Sequence, residues 1–151
     1  MWSLKTPIGW LEGVDDGKAL LSLSFCDQKP KSSRVVKDSI FGEALKNYFE
    51  KGVPLKGVDV SLEGLPDFTR KVLKRCYLIP LGKTLSYGEL AEKCGSPKGA
   101  RAVGQVMRNN PLPLVIPCHR VLSQDNFIGG FNGGLDRKKW LLAHEKIVYN
   151  L

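Results

Sequence analysis

The segment Pro113-Leu114-Val115-Ile116-Pro117-Cys118-His119-Arg120 is the most informative stretch of the sequence. Two prolines bracket an apolar run, and a cysteine and a histidine follow the second proline directly. Because proline has a fixed φ and no N–H, it ends a strand or helix at a defined position. We therefore expect Cys118 just beyond an ordered segment, where a cationic His119 or Arg120 would favour the reactive thiolate. The alternative is a small buried cysteine beside a hydrogen-bonded core histidine, because a Cys-His pair that is catalytic in one protein family is not diagnostic of catalysis in another.

The net charge of +8 lies entirely in the second half of the chain. Residues 1–65 carry 9 basic and 9 acidic side chains, whereas residues 66–151 carry 14 basic and 6 acidic ones. A concentrated cationic excess is what a polyanion-binding surface requires. A basic, solvated face without a partner would show the same imbalance, so charge alone leaves both interpretations open.

The 151 residues fit one domain or two small ones, and no apolar run approaches the length of a membrane span. The cysteines form no C-x-x-C pair and both histidines lie near the C-terminus, so we predict no bound metal. Free thiols indicate a reducing compartment, and without a signal-like N-terminus we expect a cytoplasmic protein. The residues concerned are Cys26, Cys76, Cys94, Cys118, His119 and His144.

The first half alternates between strand and helix signals. Apolar-rich segments and an Asp-Gly turn signal predict β-structure over residues 1–26, followed by a polar loop over 27–37. Asp38 or Ser39 can cap a helix with one apolar face. Residues 55–63 alternate roughly as another strand.

In the second half the pattern becomes mainly helical. Pro66 can open a helix at its first position. Ser86 and Glu89 form a capping box at the start of the next helix. Ser96-Pro97 predicts a further helix that stops before Pro111. Two short helices joined by a glycine-containing turn are a candidate helix-turn-helix.

The last part of the chain combines a glycine-rich stretch with a final helix. We expect a loop or small hairpin over residues 121–131. A helix over 135–144 would present an apolar face that includes Leu135 and Leu142. Glu145 follows directly after this helix.

Together these motifs resemble the O6-alkylguanine-DNA alkyltransferases, also called methylated-DNA–protein-cysteine methyltransferases. The Ile-Pro-Cys-His-Arg block is the most specific of them, and all occur in the family's order. The matching blocks cover residues 82–87, 100–104, 108–111, 116–121 and 140–145.

The resemblance implies an α+β fold in two domains. Residues 1–63 would form a small N-terminal β-sheet domain with one helix, of the ribonuclease H-like type. Residues 64–151 would form a mainly helical C-terminal domain with a winged helix-turn-helix. The family also implies a monomer that needs no cofactor.

The implied activity is repair of DNA by direct reversal. A damaged base in double-stranded DNA, O6-alkylguanine or O4-methylthymine, is flipped out and its alkyl group passes irreversibly to Cys118 in one turnover. Transfer of an sp³ carbon from oxygen requires a soft, strong nucleophile, and a thiolate is one. Flipping costs a few kcal/mol of unpairing and unstacking.

The family's catalytic roles carry over to residues of this sequence. His119 takes the proton of Cys118 through a water, and Glu145 orients the histidine and stabilises its cationic form. Tyr87 supplies a proton or hydrogen bond to N3 of the guanine leaving group. Asn110 ties the helix-turn-helix to the segment that carries the cysteine, although a simple turn-forming asparagine would look the same.

The resemblance also assigns the contacts with DNA and base. Arg101 would fill the vacated base stack from the minor groove, and small neighbours would let its helix approach closely. In the pocket loop, Phe131 and Asn132 stand where many members have Tyr-Ser or Tyr-Arg, so a hydroxyl is missing and Asn132 offers a polar contact to O6. The other expected DNA-binding residues are Ser86, Lys98, Gly99, Ala100 and Arg108, and the substrate pocket would include Tyr87, Val121, Phe131 and Asn132.

Three other classes of protein share some of these features. A non-enzymatic relative would bind alkylated DNA, but such proteins usually have tryptophan in place of the reactive cysteine. A winged-helix regulator would not need Cys118-His119 followed by a helix ending in His144-Glu145. A cysteine hydrolase would need an oxyanion hole, of which the sequence gives no sign.

The charge distribution predicts that affinity for duplex DNA falls steeply with salt, because phosphate contacts release counterions. We expect a loss of roughly tenfold or more between about 50 and 200 mM salt. Fluorescence-anisotropy titrations at several salt concentrations measure this. An affinity that does not change with salt would contradict binding led by charge.

Overall fold

The protein is described here from a computed structural model that covers residues 1–31, 34–35, 39–55 and 57–151. The chain forms two compact units, Met1–Leu62 and Glu63–Leu151. Within the described ranges, no helix is both long and apolar enough to cross a membrane.

The first unit is built on a small sheet. Strands β1 (Trp2–Thr6), β2 (Gly9–Asp15) and β3 (Leu20–Cys26) are antiparallel neighbours, and β4 (Arg34–Val35) pairs in parallel with β1. The sheet order among the described strands is β3-β2-β1-β4. The β-structure predicted for residues 1–26 is confirmed, whereas the loop predicted for 27–37 contains β4.

Helix α1 (Ile40–Lys51) begins and ends as its sequence predicts. The Ser39 hydroxyl accepts a hydrogen bond from the Phe41 N–H at 3.2 Å, and Gly52 ends the helix in the left-handed conformation at φ 68°. The alternative cap, Asp38, lies outside the described residues. The apolar face that packs inward consists of Phe41, Leu45, Tyr48 and Phe49.

The strand predicted for residues 55–63 is wrong. Among the described residues of this segment, 55 and 57–63, a single bridge forms, between Leu20 and Val60, with the Leu20 N–H donating to the Asp59 carbonyl and the Ser61 N–H donating to the Leu20 carbonyl. Gly57 adopts φ 70° and turns the chain, so only the three residues around Val60 reach the sheet.

The second unit contains a cluster of three helices, α2 (Asp67–Tyr77), α3 (Tyr87–Lys93) and α4 (Ala100–Arg108). Pro66 occupies the capping position before α2 instead of its first helical position. Helix α3 has the predicted capping box, in which Ser86 and Glu89 exchange two 3.0 Å hydrogen bonds. Helix α4 begins at Ala100, three residues later than the expected first position, Pro97.

The late start of α4 has a steric cause. Ser96 and the two residues after it form a turn, closed by a 2.8 Å hydrogen bond from the Gly99 N–H to the Ser96 carbonyl. A Cβ added at Gly99 would lie 3.0 Å from that carbonyl oxygen, so a larger residue there would require the turn to shift by a few tenths of an ångström. The chain therefore leaves α3 through a turn before it can enter α4.

The rest of the second unit differs from expectation in three places. The apolar run over residues 113–116 is a turn, in which the buried Leu114 has φ 74°. Of the two alternatives for residues 121–131, the structure has mainly the loop and not the hairpin, and β6 (Val121–Leu122) pairs in parallel with β5 (Leu85–Ser86), a pairing that was not expected. Helix α5 (Leu135–His144) has the predicted bounds, but its Leu135 is 46% exposed and Lys138 faces inward instead.

Candidate active site

Asn110 fixes the segment that delivers Cys118. Its side-chain amide donates to the Ile116 carbonyl at 2.9 Å, and its side-chain oxygen accepts from the Leu112 N–H at 2.9 Å. These two bonds brace the left-handed turn at Leu114 from inside, where water cannot satisfy the backbone. Cys118 then opens a short 3₁₀ helix, Cys118–Arg120.

Glu145 holds both residues that follow the cysteine. One carboxylate oxygen lies 2.6 Å from His119 Nε2, and the other accepts from Arg120 Nε at 2.7 Å. The Arg120 guanidinium also donates to Glu145 Oε2 at 3.2 Å and to the Ile79 carbonyl at 2.6 Å. All three side chains are buried, so this ion pair is shielded from water.

The ionisation of Glu145 determines which nitrogen of His119 carries a proton. Burial opposes a charged carboxylate, but hydrogen bonds and charge from His119 and Arg120 outweigh it and lower the pKa of Glu145 to about 2. Burial lowers the pKa of His119 below its usual value, although Glu145 opposes that shift. A neutral His119 must therefore donate its Nε2–H to the carboxylate, leaving Nδ1 unprotonated. Nδ1 is buried and has no hydrogen-bond partner among the described residues.

Cys118 rests as a thiol. Burial raises the pKa of the Cys118 thiol, while the hydrogen bond from Asn110 and the positive charge of Lys138 partly offset that rise. Arg120 was a candidate to stabilise the thiolate, but its guanidinium is engaged by Glu145 and Ile79. The cation that acts on the thiol is Lys138 instead.

Lys138 is a functional residue that sequence reasoning missed. Its side chain is fully buried, and Nζ donates to the carbonyls of Val121 and Gly130, each at 2.9 Å. Burial lowers its pKa to about 8. A signal was present, because Lys138 lies three, four and seven residues before Leu141, Leu142 and Glu145, on one helical face. Because lysine side chains are rarely buried, residue type alone favours a solvent-exposed position for Lys138.

A cavity of about 720 Å³ opens next to the cysteine. Cys118 is only 5% exposed, and Tyr87 lines the same cavity with a pKa that burial raises, so its hydroxyl stays protonated. Several expected pocket and DNA-binding residues meet here, together with four that were not expected. The lining consists of Tyr87, Ala100, Arg101, Gly104, Gln105, Met107, Arg108, Cys118, Gly130, Phe131 and Asn132.

The unexpected Gly104 and Gln105 could have been found from helical spacing. They lie three and four residues after Arg101, on the face of α4 that Arg108 continues. Buried Met107 lines the cavity from the helix's inner side.

Other expected site residues lie away from the cavity lining. His119, Asn110 and Glu145 are buried behind Cys118. Val121 is fully buried, and its carbonyl is bound by Lys138.

The remaining expected DNA contacts lie before the two helices. Ser86 caps α3, Gly99 precedes α4, and Lys98 is exposed in the turn between them. His144 stacks on Trp140 with ring centroids 4.7 Å apart. In the described part of the chain, no group of three or more His, Cys, Asp or Glu side chains could hold a metal ion.

The chain is similar in sequence and in fold to known proteins. The family model described as 6-O-methylguanine DNA methyltransferase, DNA binding domain, matches residues 67–147. A methylated-DNA–protein-cysteine methyltransferase of Mycobacterium leprae is 37% identical over 150 residues, which are 95% of this chain and 90% of that protein. The crystal structure of Mycobacterium tuberculosis OGT in complex with DNA is 35% identical, covers 95% of this chain and 91% of that one, and has a TM-score of 0.84. S. pombe Atl1, crystallised with damaged DNA containing O6-carboxymethylguanine, is 34% identical over 56% of this chain and 80% of its own, with a TM-score of 0.51.

The chain belongs to the methylated-DNA–protein-cysteine methyltransferase family, because a family model covers more than half of it and a full-length relative exceeds a third identity. The match to the family model includes Cys118, His119 and Glu145, the three residues whose geometry is described above.

The Glu145 ion pair predicts a loss of stability in acid. Because the folded pKa of this carboxyl is lowered from 4.5 to about 2, its contribution is complete above about pH 4.5 and is lost as the pH falls towards 2. The shift corresponds to about 3 kcal/mol of unfolding free energy. His119, whose pKa is also lowered, adds a loss in the same direction below its usual 6.5.

Urea denaturation at several pH values measures this contribution. Glu145→Gln should lower stability at pH 7 by about 3–5 kcal/mol, since it leaves Arg120 buried without its partner, and should flatten the acid limb. Asp67→Asn removes a carboxylate that is 96% exposed and serves as the control, with the acid limb unchanged. An acid limb that survives in Glu145→Gln would show that other groups cause it.

Lys138→Met should raise the pKa of the Cys118 thiol further, because it removes the nearby positive charge. We expect the midpoint of iodoacetamide reactivity against pH to move upward by about one unit or less. Lys139→Met is the matched control, since it removes the charge of the next residue, which is only partly buried. Equal midpoints in the two variants would exclude an electrostatic effect of Lys138 on the thiol.

Proposed function

We propose that this protein repairs DNA by moving the O6-alkyl group of guanine to Cys118, once per protein molecule. The observation that carries the proposal is the arrangement beside the cavity: a buried thiol followed by a histidine whose Nε2 is fixed by Glu145 and whose buried Nδ1 has no hydrogen-bond partner among the described residues. Nδ1 is then the base for the thiol proton, passed through a water as in the family.

In the transfer step, the sulfur forms a bond to the alkyl carbon while the bond from that carbon to O6 breaks. The electron pair of the broken bond passes into the guanine ring, where the Tyr87 hydroxyl supplies a proton or hydrogen bond at N3. The raised pKa of Tyr87 supports this role, since the hydroxyl remains a donor at neutral pH. Water does not readily hydrolyse the carbon–sulfur bond of the thioether product, so Cys118 is not regenerated and each molecule reacts once.

The raised pKa of Cys118 is compatible with this chemistry. The thiol needs to lose its proton only when a substrate is in place, and His119 can accept that proton because Glu145 stabilises the resulting cation. Lys138 stabilises the thiolate from the other side. A permanently ionised, buried thiolate would cost more free energy than one that forms during the reaction.

The mouth of the cavity supports the proposed DNA contact. Arg101, Gln105 and Arg108 are exposed on one face of α4, and the small Ala100 and Gly104 lie on the same face. We propose that this face enters the minor groove and that Arg101 replaces the flipped base, with α3 and α4 serving as the helix-turn-helix. The DNA complex of the M. tuberculosis relative supports DNA as the partner.

The remaining parts of the proposal rest on the family resemblance. Lys98, Gly99 and Ser86 would contact the DNA backbone. O4-methylthymine would be a second substrate, and the protein would act as a cytoplasmic monomer without cofactor.

A lesion-binding protein that does not transfer the alkyl group is the second candidate. The likeness to S. pombe Atl1, which covers 56% of this chain and was crystallised with damaged DNA, favours this candidate. Binding alone would not need a buried His119–Glu145 pair next to a thiol, and for this reason we place it second.

The deciding measurement is the intact mass of the protein after incubation with a duplex that contains one O6-methylguanine. We expect a single added methyl group, located on Cys118 by peptide mapping. Cys118→Ser should abolish transfer and keep DNA affinity within about tenfold, since hydroxyl and thiol differ little in size. Cys94→Ser, at another buried cysteine, is the control and should still be methylated. Tight binding to the lesion without added mass would support the second candidate instead.

Arg101→Ala tests the proposed replacement of the flipped base. We expect the repair rate in duplex DNA to fall by tenfold or more, given that flipping costs about a few kcal/mol, while reaction with free O6-benzylguanine changes little. Lys93→Ala removes one exposed positive charge of α3 outside the cavity lining and controls for net charge. Equal losses on both substrates would exclude this role for Arg101.

A further inference from the structure

The residues that follow α5 form a strap across a neighbouring loop. Lys146 adopts φ 58° and turns the chain back at the end of the helix. Ile147 and Tyr149 then pack against a small buried cluster that includes Ile128. The strap, residues 146–150, ends in an isolated parallel bridge between Asn150 and Phe127.

Asn150 makes the polar contacts of this strap with the loop of residues 123–128. Its N–H donates to the Asn126 carbonyl at 2.8 Å, and its carbonyl accepts from the Ile128 N–H at 2.9 Å. Its side-chain amide donates to the Asp125 carbonyl at 2.8 Å. One residue therefore binds three different residues of the loop.

The loop needs such support because of its backbone conformation. Asp125 and Asn126 both have positive φ, 59° and 62°, in the left-handed region that aspartate and asparagine enter more readily than other non-glycine residues but still at a cost. Two successive left-handed residues form a sharp turn. Asn150 binds the carbonyls of both residues, so the strap stabilises this turn.

The same loop leads directly into the wall of the cavity. A Cβ added at Gly129 would lie 2.8 Å from Ser123 Oγ and 3.4 Å from the ring of Tyr87, so the backbone passes closely between the loop and this tyrosine. The next three residues, 130–132, line the cavity opposite α4. Two hydrogen bonds hold this wall from the following residues: Lys138 Nζ donates to the Gly130 carbonyl, and the Gly134 N–H donates to the Phe131 carbonyl.

We propose that Asn150 is a positioning residue for the alkyl-transfer reaction: by holding the loop of residues 123–128, it fixes the cavity wall formed by residues 130–132. This inference rests on the proposed function. Asn150 does not line the cavity and acts only through the loop. It should therefore affect how well the pocket holds its base, and leave the chemistry of Cys118, His119 and Glu145 intact.

The test compares Asn150→Ala and Asn150→Asp with the wild type. The aspartate is nearly isosteric but presents only acceptor oxygens to the Asp125 carbonyl, so it should be at least as harmful as alanine. Val148→Ala is the control, because Val148 is 88% exposed in the same strap and lacks these contacts. Single-turnover kinetics with free O6-benzylguanine give the saturating rate constant and the half-saturating concentration. Iodoacetamide labelling of Cys118 and hydrogen exchange over residues 128–132 complete the measurements.

We expect both Asn150 variants to raise the half-saturating concentration about threefold to tenfold, the range expected for one lost hydrogen bond. The saturating rate constant and the iodoacetamide rate should stay within about twofold, because the contacts of Asn150 described above are with the loop of residues 123–128. Amide exchange over residues 128–132 should become faster than in Val148→Ala.

Kinetics equal to those of Val148→Ala would overturn the positioning role, with or without faster exchange. So would a loss confined to the saturating rate constant together with slower labelling of Cys118, which would mean a general disturbance of the site. If the wild type transferred no alkyl group, the proposed function would fail. Amide hydrogen exchange over residues 128–132 that is unchanged in both Asn150 variants would separately show that Asn150 does not hold the loop.

Discussion

The buried carboxylate of Glu145 is the contact on which the second unit's chemistry depends. It joins three parts of the chain that are distant in sequence: the end of α5, the 3₁₀ helix that carries His119 and Arg120, and, through Arg120, the carbonyl of Ile79 just after α2. A single buried anion thus stabilises the fold and selects the tautomer of His119. Because two partners share it, its charge is compensated even when His119 is neutral.

The electrostatic balance around the cysteine depends on this pairing. Arg120 donates two hydrogen bonds to Glu145 and helps to lower the pKa of that carboxyl, whereas the cation that lowers the pKa of the thiol is Lys138. Lys138 supplies the second cation while it binds two carbonyls, one of them in the cavity wall. The same lysine therefore links the reactivity of Cys118 to the shape of the pocket, which a surface lysine could not do.

Local signals in the sequence predicted several helices and strands of the fold and singled out the Cys118-His119 motif. Ser86 and Glu89 marked the start of α3, and the bounds of α5 followed from glycine and helical spacing. Signals failed where tertiary contacts override local preference. Leu114 is left-handed because Asn110 braces its turn, and residues 55–63 lack the neighbours that would make them a strand. The partnership of Glu145 with His119 came from family resemblance, since no local pattern joins residues 26 positions apart.

The 5% exposure of Cys118 has a consequence for the lifetime of the protein as a reagent. Under the proposed chemistry each molecule acts once, so any sulfur lost to oxidation or to a stray electrophile is repair capacity lost to the cell. A recessed, protonated thiol reacts slowly with small oxidants, which attack the exposed thiolate. Burial thus keeps an unused molecule competent, and the number of intact cysteines remains a measure of how many lesions the cell can still correct.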